Sequence, residues 1–165
     1  MYYGCYCGAG FELLLKSKMV SVDGVEQFCS AACLLKFLKE TGNSDRLLDI
    51  IAKTNPVPHS LGVGAGAYDA ETDTWFRSGY EIIVSKFFDY HKIKWTYEAR
   101  SVPFKGRGFY VPDFLLQAHG YLVEVKGRWT GKGKRKFIET AKQLPVILIQ
   151  DYLVKDIKRY AIHTS

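Results

Sequence analysis

Cysteine is absent from the last 132 residues of this 165-residue chain, and proline and methionine are scarce, at five and two. All four cysteines, Cys5, Cys7, Cys29 and Cys33, fall in the first 33 residues, which excludes a disulfide framework spread through the fold. No apolar run approaches the roughly 18–20 residues that cross a bilayer. The opening Met1-Tyr2-Tyr3-Gly4-Cys5 has no basic stretch leading into an apolar one, so a soluble, cytoplasmic protein is expected. Nucleotide-binding loops are missing too. Gly62-x-Gly64-x-Gly66 follows no strand, and Gly127-x-x-x-Gly131-Lys132-Gly133-Lys134 has the wrong spacing for a P-loop, with no Ser or Thr after either lysine. What remains is a globular composition, 47% hydrophobic and 24% charged, with no internal repeat.

The net charge of +6 is local. Residues 1–66 carry six basic and six acidic side chains, whereas residues 67–165 carry 17 and 11. Between Lys126 and Lys142 seven basic residues (Lys126, Arg128, Lys132, Lys134, Arg135, Lys136, Lys142) face one acid, Glu139. Such a stripe is either a solvated face or a surface for a polyanion, with nucleic acid the first candidate.

The clustered cysteines favour metal ligation. Cys29 and Cys33 bracket the start of a helix that Ser30 caps, with Cys33, Leu34, Phe37 and Leu38 at helical spacing up to Gly42. Cys5-x-Cys7-Gly8 reads as a tight knuckle and Asp23-Gly24 as a hairpin turn between the pairs. The segment resembles a small treble-clef zinc finger, in which one structural Zn²⁺ takes four thiolates. A second helix is predicted over 45–53. The proline- and glycine-rich stretch 55–67 then marks a linker, which divides a zinc-finger and helical module, 1–54, from a second domain, 68–165.

In that second domain the pattern predicts a helix over 77–91 and strands over 94–99, 108–116 and 121–126. The last two are joined by Gln117-Ala118-His119-Gly120. Pairing Gln117 with Gly120 sets Asp113 opposite Glu124, where like charges on adjacent Cβ atoms repel. A divalent cation between the two carboxylates compensates them, and strand alternation puts Lys126 on the same face as Glu124, with Val123 and Val125 toward the core. Glu98 is either a further acid of this group or an exposed strand residue. His91 and His119 are expected at the surface and Trp129 beneath the basic helix.

Pro112-Asp113, ten intervening residues and Glu124-Val125-Lys126 match the PD-(D/E)XK motif of the restriction-endonuclease-like nuclease superfamily. With Tyr110-Val111-Pro112-Asp113-Phe114-Leu115-Leu116 and Val123-Glu124-Val125-Lys126-Gly127-Arg128-Trp129, the stretch over roughly residues 75–150 resembles the phage endonuclease I family of Holliday-junction resolvases. The resemblance implies an α/β core, a mixed central sheet flanked by helices, and a fourth site residue from the first helix, Glu81. Glu81 also completes a capping box with Ser78, and the two roles are compatible. The implied chemistry is Mg²⁺- or Mn²⁺-dependent hydrolysis of DNA phosphodiesters. One or two ions are held by Glu81, Asp113, Glu124 and the Val125 carbonyl, with Lys126 beside them. Arg128, Lys132, Lys134, Arg135 and Lys136 are expected to track phosphates. Branched DNA as substrate and a homodimer follow as expectations, together with a phage or mobile-element origin and a place inside the host cell. A site-specific homing, nicking or restriction-type enzyme and a DNA-binding module without turnover are the alternatives.

Overall fold

The computed structural model describes residues 25–42, 44–57, 66–104 and 108–163. In chain order its elements are β1 (Val25–Glu26), α1 (Ala31–Glu40), α2 (Ser44–Lys53), β2 (Asn55–Pro56), β3 (Ala67–Asp69), β4 (Thr74–Phe76) and α3 (Gly79–Tyr90). There follow β5 (Thr96–Tyr97), β6 (Arg100–Pro103), β7 (Phe109–Tyr110), β8 (Phe114–Leu116), β9 (Tyr121–Lys126), α4 (Gly131–Ala141), β10 (Val146–Gln150) and α5 (Asp151–His163). Among the described residues no helix is long and apolar enough to cross a membrane.

The centre is a mixed sheet in the order β1-β10-β9-β8-β5. Its parallel strands are covered on both faces, which is why β10 is apolar from Val146 to Ile149. β10 runs parallel to β1 and β9, and β9, β8 and β5 form an antiparallel meander. Alternation along β9 sorts its side chains between two cores. Val123 and Val125 join Phe28, Phe37, Phe88 and Phe114 on the side of α1, α3 and α5, while Leu122 joins Ile50, Phe137 and Leu148 on the side of α2 and α4. This is the expected mixed sheet flanked by helices.

Residues 25–54 do not stand apart from it. β1 is an edge strand of the central sheet, and Phe28, Leu34 and Phe37 lie in the same core as Phe88, Phe114 and Ile157. The division expected between residues 54 and 68 therefore does not separate two cores: burying the apolar face of α1 takes the surface of α5. Within the expected linker, Asn55–Pro56 pairs with β6 and Ala67 begins the β3–β4 hairpin. Cys5, Cys7 and the Asp23-Gly24 turn lie outside the described residues. Ser30 caps α1 as the sequence predicts, its Oγ accepting from the Cys33 N–H at 3.2 Å, with Cys33 buried in the core and Cys29 half-buried. Among the described residues no three His, Cys, Asp or Glu side chains form a group able to hold a metal.

Two strand predictions need correction. The stretch over 108–116 is two strands, because Pro112 offers no N–H to a ladder. β7 pairs with β6, the chain bends at Val111-Pro112-Asp113, and β8 enters the central sheet. Asp113 thus sits at the mouth of a strand rather than inside one. The strand over 94–99 shortens to Thr96–Tyr97, since Glu98 turns into the left-handed region at φ 44°. The histidines also differ from expectation. His119 Nε2 lies 2.7 Å from the Leu38 carbonyl, and Arg46 donates to the His119 carbonyl at 2.9 Å, fastening the β8–β9 turn to α1 and α2. His91 packs against the Phe87 ring at 4.7 Å.

Candidate active site

The β8–β9 turn fixes everything that follows. The Leu116 carbonyl accepts from the N–H groups of His119 and Gly120, and Gly120 takes φ 68°, a backbone state that glycine adopts without strain. The resulting register pairs Phe114 with Val123 and Leu116 with Tyr121, so the next position outward sets Asp113 against Glu124, as the turn length predicts. Asp113 is held there by its neighbour's backbone: the Val125 N–H donates to Oδ2 at 2.7 Å. Asp113 and Glu124 are 8% and 2% exposed. Lys126, two residues beyond Glu124 on the same face, places Nζ 2.7 Å from Glu124 Oε1.

Glu81 reaches the same place from the first turn of α3. Its backbone N–H donates to Ser78 Oγ at 3.3 Å, and its Oε1 accepts from the Ser78 hydroxyl at 2.9 Å. The Ser78 cap of the expected box is therefore formed, with the Glu81 carboxylate taking the Ser78 hydroxyl and the Arg77 N–H, and Glu81 also lines a cleft of about 390 Å³ with Asp113, Glu124, Lys126 and Arg77. Val125, whose side chain is in the core, belongs to this lining as well. The four groups expected to hold metal, and Lys126 expected beside them, thus all line one cleft.

Burial raises the Asp113 carboxyl well above the usual carboxylate range, and the charges of Glu124 and Glu81 add to it. Glu124 is raised for the same first reason, with Lys126 and the Tyr110 hydroxyl opposing the shift. For Lys126, burial alone favours the neutral amine, but the charges of Glu124, Asp113 and Glu81 outweigh it and the ammonium is stabilised. Adding Glu98 and Arg77, four carboxylates face two cations. Fully ionised, the group carries two uncompensated negative charges in a buried place, a deficit that a divalent cation would offset, although no three of these carboxylates are gathered closely enough to form a metal cluster by themselves.

Three side chains that sequence reasoning left out, Tyr110, Tyr97 and Arg77, complete the site together with Glu98, which it left open. The Tyr110 hydroxyl donates to Glu124 Oε2, and the Tyr97 hydroxyl donates to Glu81 Oε2 at 2.6 Å. Both phenols are pushed up, by burial first and then by the carboxylates they serve, so both remain donors. Glu98, neither exposed nor in a regular strand, pairs with Arg77 at 2.7 Å. The basic residues Arg128, Lys132, Lys134, Arg135 and Lys136 are outside the cleft. Arg128 is exposed beyond the end of β9, and the others lie on α4, where Lys132, Arg135 and Lys136 line a separate groove of about 1050 Å³ with Phe104. Lys136 links the two places, since its Nζ donates to the carbonyl of Phe109, a residue that lines the cleft, at 3.2 Å. Trp129 packs on Phe137 of α4 at 5.1 Å between ring centroids, as expected.

The family model described as Phage endonuclease I matches residues 63–155, more than half of the chain and all of this site. The chain belongs to the phage endonuclease I family. Among its relatives, Endodeoxyribonuclease 1 of Enterobacteria phage T3 is 36% identical over 91 residues, covering 52% of this chain and 59% of that protein. Endonuclease I of Escherichia phage T7 is 37% identical over 90 residues, covering 53% of this chain and 60% of that protein. The match thus spans about six-tenths of the relatives' length. No solved structure matches this chain.

Proposed function

We propose that this endonuclease I family member is a metal-dependent endodeoxyribonuclease that hydrolyses DNA phosphodiester bonds, acting on branched DNA of the Holliday-junction type as a homodimer. The observation that carries this reading is the buried pair Asp113 and Glu124, like charges held opposite one another with Lys126 against them, at the base of an open cleft. A structural core gains nothing from such a pair, whereas an ion-assisted hydrolase needs it.

Asp113, Glu124 and the Val125 carbonyl are the groups to hold Mg²⁺ or Mn²⁺, and Glu81 is placed to take a second ion or its water shell. Bound there, the ion supplies Lewis-acid charge at the scissile phosphate and lowers the pKa of attacking water. Lys126 keeps a compact ammonium at the same spot, suited to orient a water or to offset charge developing on phosphate oxygens. Tyr110 and Tyr97 hold Glu124 and Glu81 in place by donating to one oxygen of each, leaving the other oxygen to Lys126 and Ser78 respectively. The α4 lysines and arginine with Arg128 supply phosphate contacts that position DNA without reading its sequence. Matched cuts across a four-way junction require two copies of the site, which is the support for a symmetric dimer. A structural zinc held by Cys5, Cys7, Cys29 and Cys33 belongs to the same proposal, supported by the placing of Cys29 and Cys33 around the first turn of α1. Metal analysis of the purified chain tests it.

The deciding experiment compares cleavage of a four-way junction, a flap and a linear duplex of matched sequence with Mg²⁺ or Mn²⁺, alongside Lys126→Ala. Paired symmetric cuts in the junction, absent in the variant, are expected. Cleavage of one linear sequence only replaces this reading with a site-specific enzyme, and binding without any cleavage replaces it with a DNA-binding module.

A further inference from the structure

Arg77 is pinned at both ends by acids of the cleft. Its backbone N–H donates to Glu81 Oε2 at 3.0 Å and to the Tyr97 hydroxyl oxygen at 3.1 Å, while its Nε donates to Glu98 Oε1 at 2.7 Å. The pairing is lopsided: the Glu98 side chain is 10% exposed and that of Arg77 is 60% exposed. A cation present only to neutralise a buried carboxylate is best buried with it. Here one edge of the guanidinium meets the acid, the side chain is largely exposed, and Arg77 lines the same cleft as Asp113, Glu124 and Lys126.

The acid that holds it is itself held in an unusual way. Glu98 lies at φ 44°, a state that L residues other than Asn and Asp rarely adopt, and its N–H donates to the Asp113 carbonyl at 2.8 Å. The left-handed turn therefore ties the backbone of one cleft acid to the residue that carries the arginine. A strained, buried glutamate used to aim an exposed guanidinium is the arrangement of a preorganised anion site, since a planar fork with one edge fixed presents its other donors to two oxygens at once.

We propose that Arg77 is a phosphate-binding residue of the cleft, with Glu98 as the positioning residue that aims it at a phosphodiester of the bound strand. The subsite is distinct from the basic face of α4, which lies outside the cleft. It rests on the nuclease reading for the identity of the ligand, a nucleic-acid phosphate, and deepens that reading by naming a contact inside the reaction cleft.

The test measures binding of a fluorescent four-way DNA junction to the full chain in EDTA, across a salt series, for the wild type, Arg77→Met, Glu98→Gln and the double variant. Arg77→Met alone leaves Glu98 buried without its partner, so the double variant, which removes both charges, keeps the experiment interpretable if the single one unfolds. Loss of one phosphate contact lowers the slope of log affinity against log salt by about 0.9 in both Arg77→Met variants. Glu98→Gln keeps the arginine's charge and hence the slope, but loosens its aim and weakens binding several-fold. A wild-type slope in the folded double variant overturns the subsite, and wild-type affinity in Glu98→Gln overturns the positioning role. Cleavage by the wild type is scored separately. If it cuts no DNA while the slope still falls by about 0.9, the phosphate subsite stands and the nuclease reading fails.

Discussion

Asp113 accepts a 2.7 Å hydrogen bond from the backbone N–H of Val125, the residue that follows Glu124, and this bond holds the two acids of the cleft together one step beyond the last β8–β9 pair, Phe114 with Val123. The pair costs stability, and on the proposed reading an ion offsets that cost. Asp113→Asn keeps the shape and the acceptor for Val125 while removing one buried charge. Cleavage is expected to fall by at least about 100-fold, the scale of losing one preorganised electrostatic contact. The metal-free protein is expected to gain about 1–3 kcal/mol, because a buried carboxylate with too few partners has been neutralised. Single-turnover cleavage and urea unfolding in EDTA check both halves. A variant that is less active and also less stable assigns Asp113 a structural role.

The pH dependence of stability has a definite sign. Asp113 and Glu124 are raised in the folded protein, by burial first. Between their ordinary values near 4 and the raised ones, the native state holds protons that the unfolded chain has released, so stability falls as pH climbs through that window. Melting in EDTA is expected to drop as pH rises above the ordinary carboxylate range, with the drop reduced in Asp113→Asn. Saturating Mg²⁺ is expected to restore about 2.7 kcal/mol at a concentration 100-fold above its Kd. Equal pH profiles for wild type and variant would falsify this account of the two acids.

Tyr110 donates to Glu124 and so favours its charged form, against burial. Tyr110→Phe removes that donor at little cost in volume. The acid limb of the pH–rate profile is expected to move to higher pH, and the plateau rate to fall by about 10-fold, as for one hydrogen bond to a charged group. An unchanged acid limb with a reduced rate counts against this role for the phenol.

Much of the site was readable because a four-residue turn fixes register across it. Gln117 to Gly120 sets Asp113 against Glu124, and period-2 alternation sets Lys126 beside Glu124. The same reasoning fails for Tyr110, which that register carries past the end of β9. It reaches Glu124 only because Pro112 breaks the strand and lets the chain leave one sheet for another. Glu98 was ambiguous since alternation assumes extended backbone, and its φ of 44° turns the side chain toward Arg77. The built-in place of residues 25–54 was hidden for another reason. Val25 pairs with Val146 across the length of the fold, and such a long-range pairing leaves no local pattern.

The basic face of α4 makes a prediction separable from all of these. Lys132 and Lys136 line the groove beside Phe104, and Lys136 reaches the carbonyl of Phe109 at the cleft's edge. On the proposed reading, strand phosphates leaving the cleft over Phe109 would meet these two lysines. Lys132→Ala and Lys136→Ala together are expected to lower the salt slope of junction binding by about 1.8, weakening every DNA alike because phosphates carry no sequence. At low salt and saturating protein, the single-turnover rate and the positions of the cuts are expected to stay as in the wild type, the opposite of the Asp113→Asn outcome. A lowered saturating rate would place α4 in the chemistry rather than in holding DNA, and an unchanged slope would leave its charge as a solvated face.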